Sequence, residues 1–163
     1  MQVLVMYYSA SGNTKKLAEA IAGGAREVEG VTCIVKAAED VTRDDFLNSD
    51  GIIAGSPVYF GSMAAGLKDV FDRFVGLRSR MEGKVGAAFA TSGDLSGGKE
   101  TTLMSIIQAL LIYGMIIAGD PMDATGHYGT SCAGAPDDAT AANGAKLGKR
   151  VALLVKKLQG QTP

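Results

Sequence analysis

Short apolar segments alternate with amphipathic segments of helical spacing along the chain, and this alternation strongly limits the possible folds. We predict strands at residues 2–8, 31–35, 51–56, 84–91 and 115–119, helices at residues 13–29, 63–77, 99–114 and 137–158, and a short helix or turn at residues 42–50. The first strand carries no charge, as expected for a strand buried on both faces. The pattern predicts one α/β domain over residues 1–163, in which helices cover both faces of a doubly wound parallel sheet.

The composition fits a globular protein and argues against several other classes. The 163 residues are 47% hydrophobic and 20% charged, and 16 basic residues against 17 acidic ones give a net charge of −1. This balance, without a basic motif, predicts no nucleic-acid partner. No segment has the ~18 uninterrupted apolar residues of a transmembrane helix. The apolar run at residues 1–8 is too short for a signal peptide. We therefore expect no membrane association and a cytoplasmic location.

The loop after the first strand is rich in hydroxyl groups. It reads SASGNT, residues 9–14, and leads into a helix whose free N–H groups and dipole favour an anion. A simple helix cap is the alternative, but three hydroxyls in six residues exceed what a cap needs. We predict a phosphate-binding loop formed by Ser9, Ala10, Ser11, Gly12, Asn13 and Thr14.

Two further loops follow the third and fourth strands, at the sheet edge where ligands of such folds bind. GSPVYFGSM, residues 55–63, places two aromatic residues there, which suit a flat ligand ring, although we expect one of them to pack inward. TSGDLSGG, residues 91–98, combines glycines with a carboxylate, and an ordinary flexible loop is the alternative. The ring-binding candidates are Pro57, Val58, Tyr59, Phe60 and Gly61 on one side, and Thr91, Ser92, Gly93, Asp94, Gly97 and Gly98 on the other.

Other motifs that carry chemistry are missing. The first loop lacks both GxxxxGK[ST] and GxGxxG, which argues against a P-loop nucleotidase and a dinucleotide fingerprint. The two cysteines form neither a disulfide framework nor a metal-ligand spacing, so we predict no metal site. Cys33 lies in an apolar run and is expected in the core. Cys132 is expected in a loop, where an ordinary position is favoured over a reactive thiol.

Three segments resemble motifs of the flavodoxin-like superfamily, whose members bind FMN. VLVMYYSASGNT matches the phosphate loop [ST]-x-[ST]-G-x-[ST] of that superfamily at Ser9, Ser11, Gly12 and Thr14. GSPVYFGSM and FATSGDLSGGKETT are similar to motifs of the WrbA-type NAD(P)H:quinone oxidoreductases, as are YGM at 113–115 and HYGTSCAG at 127–134. The resemblance covers essentially the whole chain.

The resemblance implies a flavodoxin-like, five-stranded parallel sheet in the order 2-1-3-4-5, with FMN as the cofactor. It implies hydride transfer from NAD(P)H through FMN to a quinone or a similar small acceptor, without a catalytic side chain. The substrate-side candidates are Tyr113, His127 and Tyr128, and a plain solvated position is the alternative for His127. A homo-oligomer is compatible with the Ala- and Gly-rich helices.

Two other functions stay open at this point. The first is a flavodoxin-type one-electron carrier with a redox partner protein. Such carriers are typically strongly acidic, and a net charge of −1 does not provide that signature. The second is a phosphate- or nucleotide-binding regulator without flavin, because doubly wound sheets host many ligands.

Overall fold

Strands and helices alternate in the protein, and the computed structural model describes residues 1–160. The strands are β1 (Gln2–Tyr7), β2 (Thr32–Ala37), β3 (Gly51–Tyr59), β4 (Ser62–Met63), β5 (Val85–Ser92), β6 (Ile116–Ile117) and β7 (Thr130–Ala133). The α-helices are α1 (Asn13–Arg26), α2 (Arg43–Asn48), α3 (Ala65–Arg73), α4 (Lys99–Ile112) and α5 (Asp138–Gln159). The predicted domain extends to residue 163, so residues 161–163 lie outside the described part.

The sheet is parallel and its strands lie in the order β2-β1-β3-β5-β6. This confirms the predicted order of the five main strands, with β4 as a short antiparallel extension of β3. The fifth strand is in two pieces, because β6 pairs with the start of β5 and β7 pairs with its end. The strand predicted at 115–119 covers only the first piece. The second piece was missed because it follows a long segment rich in Gly, Pro and Asp.

Two apolar layers form the core, one on each face of the sheet. Along β1, Leu4 and Met6 face one layer while Val3 and Val5 face the other. Helices α3 and α4 cover the first layer, and α1 and α5 cover the second. The uncharged strand is thus buried on both faces, as the sequence predicts, and the two layers fix the sheet edge at which the loops emerge.

Helices α1 and α5 pack backbone to backbone. A Cβ atom added at Gly24 would lie 1.8 Å from the carbonyl oxygen of Ala145, and one at Gly148 would lie 1.9 Å from that of Ile21. Real Cβ atoms do not come so close to another atom. The contact therefore requires glycine at both positions.

Several predicted boundaries are wrong by a few residues. The first helix ends at Arg26 rather than at residue 29. The helix predicted at 63–77 ends at Arg73 and is followed by a 3-10 helix at Val75–Arg80. Strand β3 continues to Tyr59 because β4 pairs with its last two residues.

Two general findings concern the described residues 1–160. None of their helices is long and apolar enough to span a bilayer. They also contain no group of three or more His, Cys, Asp and Glu residues that could hold a metal ion.

Candidate functional site

The three predicted loops meet at the carboxyl edge of the sheet. They follow β1, β3 and β5, which are parallel neighbours. The first and third loops are joined where the hydroxyl oxygens of Thr14 and Thr91 lie 2.8 Å apart. The second and third loops touch at two glycines, since a Cβ atom on Gly98 would lie 3.4 Å from the Cα of Gly61. The prediction that these loops form one site is consistent with this geometry.

The first loop is built around an oxygen atom held by backbone amides. The Oγ of Ser9 accepts hydrogen bonds from the N–H groups of Gly12, at 3.1 Å, and of Lys15, at 3.3 Å. Gly12 is the N-cap of α1 and has a φ of 89°, in the left-handed region that favours glycine. No atom lies within 4 Å of the position its Cβ would take. The loop thus has oriented donors and free space above its backbone, which is the arrangement of an anion site.

Thr14 is more deeply buried than its neighbours in this loop. Ala10 and Ser11 are exposed, whereas Thr14 is only 2% exposed. Its side chain does not cap α1, because the capping acceptor is Ser9 and the Thr14 hydroxyl pairs with Thr91. The helix-cap alternative therefore applies to Ser9 and not to Thr14.

The second loop is the turn of a tight hairpin between β3 and β4. Phe60, at the tip, has a φ of 53°, which is uncommon and unfavourable for a bulky residue, and its side chain is fully exposed. Tyr59 is 42% exposed, and its ring meets that of Tyr8 edge-on at 6.2 Å. The expectation that one of the two aromatic residues packs inward is therefore wrong. The Tyr59 ring meets Tyr8, which is itself packed against Gly66, and Phe60 lies at the tip of the turn.

Two serines hold this hairpin in place. The Oγ of Ser56 accepts from the N–H of Ala64, at 2.8 Å, and donates to the carbonyl oxygen of Pro57. The Oγ of Ser105, on α4, accepts from the N–H of Met63, at 3.0 Å. These bonds compensate for the strain at the tip.

The third loop is a hydrogen-bonded turn after β5. The carbonyl oxygen of Asp94 accepts from the Ser92 hydroxyl, at 2.6 Å, and from the N–H of Gly97, at 3.1 Å. A Cβ atom on Gly97 would lie 2.7 Å from that of Ser92, so the turn needs glycine there. Gly93, in contrast, has open space around it. The loop is therefore more ordered by its own bonds than the flexible alternative implies.

The substrate-side candidates Tyr128 and His127 lie beside different cavities. Tyr128 lines a cavity of about 460 Å³ together with Glu100, Thr101, Met104, Ser105 and Gln108 of α4. This cavity adjoins the hairpin, because Thr101 Oγ1 lies 3.4 Å from the position of a Cβ on Gly61. His127 is exposed and lines a smaller cavity of about 170 Å³ with Asp120 and Met122. Of this pair, Tyr128 is therefore the residue whose cavity adjoins the hairpin.

The third candidate, Tyr113, is a core residue, and its prediction as a substrate-side residue is wrong. It is 3% exposed, and its hydroxyl donates to the carbonyl oxygen of Phe71 at 2.6 Å. It follows the carboxyl end of α4, near the start of β5, because the N–H of Gly83 donates to the carbonyl oxygen of Gly114. This is the opposite edge of the sheet from the three loops. Burial raises the pKa of Tyr113 to about 12.

The cysteines occupy ordinary structural positions. Cys33, on β2, packs against the core, and burial raises its pKa to about 11. Cys132 is on β7 rather than in the predicted loop, and burial raises its pKa as well. Burial thus favours the protonated form of both thiols, which supports an ordinary position for Cys132 over a reactive thiol.

Three residues that help to build the site were missed from the sequence. Tyr8 supports the hairpin from below, and Ser56 and Ser105 fix its two ends. Tyr8 directly precedes the hydroxyl-rich loop in the sequence, so its position was a usable signal. Ser56 lies within the second predicted loop, whereas Ser105 gave no signal, because its role depends on a contact between distant segments.

Comparison with known proteins identifies the family. Residues 1–128 match the model of a family described as NADPH-dependent FMN reductase. The chain belongs to this family. An NAD(P)H dehydrogenase (quinone) from Archaeoglobus fulgidus is 35% identical to this chain over an alignment of 188 residues, which covers 96% of this chain and 98% of that protein. A protein of the same description from Rhodopseudomonas palustris is 39% identical over 140 residues, with 72% of this chain and 70% of that protein covered.

Flavodoxins are also among the relatives of this family member. A flavodoxin from Aquifex aeolicus is 40% identical over 119 residues, covering 72% of this chain but only 64% of that protein. A solved flavodoxin from the domain Archaea has a TM-score of 0.79 at 29% identity, covering 96% of this chain and 99% of that one. A flavodoxin, WrbA-like protein from Agrobacterium tumefaciens has a TM-score of 0.82 at 23% identity, covering 96% and 98%. The flavodoxin-like fold and the resemblance to WrbA-type enzymes are therefore confirmed.

FMN is the cofactor that this family implies, and the loops fit its chemistry. A phosphate monoester needs several donors, and the first loop supplies backbone N–H groups and hydroxyls without an acidic residue. The open positions at Gly12 and Gly93 leave the backbones of two loops accessible to a ligand. The exposed ring of Tyr59 provides an apolar surface for a flat ring.

Proposed function

We propose that this reductase binds FMN in the three loops and passes electrons from NAD(P)H to a quinone-like small molecule. When bound, FMN would supply the redox chemistry of hydride transfer from NAD(P)H to the acceptor, while the three loops would hold and orient it. Overall, NAD(P)H, a proton and the quinone become NAD(P)⁺ and the hydroquinone. The observation that carries the proposal is the cavity of about 460 Å³ that opens between Tyr128 and α4, beside the loops.

The phosphate end of the site is assigned to residues 9–14. The N–H groups at the start of α1 and the hydroxyls of Ser9, Ser11 and Thr14 are assigned to the phosphate. In the described structure the Ser9 Oγ accepts from two amides, and on phosphate binding these amides are available to the anion instead. Lys15 and Lys16 are exposed just beyond the loop and add favourable charge.

The ring end is assigned to the hairpin and the third loop. Residues 57–61 hold one side, with the Tyr59 ring as the flat contact, and residues 92–94, 97 and 98 hold the other. The hydrogen bonds of Ser56 and Ser105 keep the hairpin in position before the ring arrives, which reduces the entropy lost on binding. Asp94 places a carboxylate at this end.

The acceptor side is assigned to the cavity beside α4. Its lining combines the apolar surfaces of Met104 and Tyr128 with polar groups from Thr101 and Gln108. Small-molecule sites are typically apolar with a few polar groups that set orientation, and a quinone has both kinds of surface. This feature favours a small acceptor over a protein partner.

The test uses the purified protein reconstituted with FMN. Anaerobic NADH or NADPH should bleach the flavin absorbance, and a soluble benzoquinone should then sustain NAD(P)H oxidation. Absence of turnover with FMN fully bound contradicts the proposal. A flavin that resists both nicotinamides, yet is reduced by dithionite in two separate one-electron stages, favours the carrier function suggested by the Aquifex aeolicus relative.

A variant pair tests the acceptor cavity itself. Tyr128→Ala removes an aromatic contact and should raise KM for the quinone about three- to ten-fold. Met122→Ala, in the same segment but 99% exposed and outside that cavity, should leave KM unchanged. Equal effects of the two changes contradict the assignment of the cavity. The homo-oligomer and the alternative of a redox partner protein stay predictions.

A further inference from the structure

We propose that Thr91 is a positioning residue for the phosphate group, acting through Thr14. This inference rests on the proposed FMN site and deepens it. Thr91 lies in the strand that leads into the ring-side loop, so sequence position assigns it to the ring. The geometry points to the phosphate instead.

The two threonines form a buried pair between segments that are distant in sequence. Their hydroxyl oxygens are 2.8 Å apart, and the residues are 77 positions apart in the chain. Thr14 is in the first turn of α1 and is 2% exposed, and Thr91 is near the end of β5 and is 3% exposed. Because water is excluded from the pair, the bond between the hydroxyls is stronger than a surface bond and is costly to lose.

The number of protons on each hydroxyl fixes the direction of the bond when phosphate is present. A threonine hydroxyl donates one hydrogen bond, and an ionised phosphate oxygen can only accept. If Thr14 donates to the phosphate, it has no proton left for Thr91. Thr91 must then be the donor to Thr14, although either direction is open in the described structure.

This direction gives Thr91 two effects on phosphate binding. It holds the Thr14 hydroxyl in one rotamer, and it polarises that hydroxyl so that it donates more strongly. Neither effect acts on the flavin ring. Loss of the Thr91 hydroxyl should therefore weaken the binding of FMN but not of riboflavin, which has the same ring and no phosphate.

The experiment measures dissociation constants of the apoprotein for FMN and for riboflavin by quenching of flavin fluorescence. Thr91→Val keeps the side-chain shape and should weaken FMN binding about ten-fold, with a change of less than about two-fold for riboflavin. Thr91→Ser restores the hydroxyl and should restore FMN binding. If Thr91→Val does not fold, as judged by circular dichroism, Thr91→Ala takes its place with the same expectation.

A double-mutant cycle tests the route through Thr14. If Thr91 acts through Thr14, then Thr14→Val/Thr91→Val should bind FMN no more weakly than Thr14→Val alone. The control is Ser9→Ala, whose hydroxyl belongs to the same loop but is not bonded to Thr91. Its effect should multiply with that of Thr91→Val.

Three results overturn the inference. They are an equal loss of FMN and riboflavin affinity in Thr91→Val, no loss of either, and full additivity with Thr14→Val. The first result assigns Thr91 to the ring, and the second reduces the pair to a structural contact. A wild-type protein that binds neither flavin is a different failure, because it refutes the proposed FMN site and this inference with it.

Discussion

The backbone contact between α1 and α5 makes a sharp prediction about two adjacent glycines. Gly23 and Gly24 both lie in α1, so helix propensity treats them alike. Gly24 faces α5, where an added Cβ would lie 1.8 Å from the carbonyl oxygen of Ala145. Gly23 faces solvent, and apart from its chain neighbours and the backbone of its own helix, no atom lies within 4 Å of the position its Cβ would take. The pair therefore separates packing from propensity within one turn of helix.

The expected effects have opposite signs. Gly23→Ala gains helix propensity and should stabilise the protein by about 0.5–1 kcal/mol. Gly24→Ala gains the same propensity but must push the helices apart by roughly 1.5 Å in a densely packed layer, because the obstructing atom belongs to the backbone. Overpacking of this kind costs about 1–3 kcal/mol and sometimes more. After the gain in helix propensity is subtracted, we expect Gly24→Ala to be less stable than wild type by up to about 2.5 kcal/mol.

Urea unfolding of the apoprotein, followed by far-ultraviolet circular dichroism, measures both changes. The midpoint should rise for Gly23→Ala and fall for Gly24→Ala, with an unchanged slope that reports similar surface exposure on unfolding. The reasoning is refuted if Gly24→Ala is as stable as wild type, or if both variants shift in the same direction.

Three further perturbations have expected outcomes. Tyr113→Phe leaves the buried carbonyl of Phe71 without its partner and should lower the free energy of unfolding by about 1–3 kcal/mol, while FMN affinity, measured by fluorescence, stays the same. Burial alone would raise the pKa of Asp45, but hydrogen bonds from Lys36 and Thr42 lower it. The carboxylate therefore stabilises the fold above its unfolded pKa, and this stabilisation is lost as the pH falls through the folded pKa. In parallel urea titrations, Asp45→Asn should lose less unfolding free energy than wild type between about pH 5 and pH 3. Gly97→Ala would place a Cβ atom 2.7 Å from that of Ser92 and so distort the third loop. It should weaken the binding of FMN and of riboflavin together, whereas Thr91→Val should weaken only that of FMN. A selective loss of FMN affinity in Gly97→Ala contradicts this expectation.

The alternation of strands and helices was predictable because each element carries its own local pattern. Strand β1 is uncharged and buried on both faces, and the helix after it follows a recognisable loop. The interrupted fifth strand was only half predicted. Residues 130–133 form a strand because they pair with the end of β5, and nothing in their local composition requires it. The prediction failed where tertiary pairing overrides propensity.

The candidate site was likewise predictable only in part from the sequence. The loops themselves were visible, because hydroxyls, glycines and aromatic residues follow strands that end at one edge. Side-chain direction was not visible. Tyr113 was assigned to the substrate side by its resemblance to a family position, but it follows the far end of α4 and is buried. Tyr59 and Phe60 are both exposed, and the Tyr59 ring contacts Tyr8.

The contacts between loops explain why the site is more than three adjacent motifs. Each loop has hydrogen bonds of its own, but the Thr14–Thr91 bond and the Gly61–Gly98 contact connect different loops. Binding of a ligand that touches all three loops is favoured when their relative positions are fixed in advance, since less freedom is lost. A phosphate held at one end and a ring held at the other would draw on both contacts. It follows that a change at Thr91 should weaken the binding of FMN but not of riboflavin, whereas a change at Gly97 should weaken the binding of both.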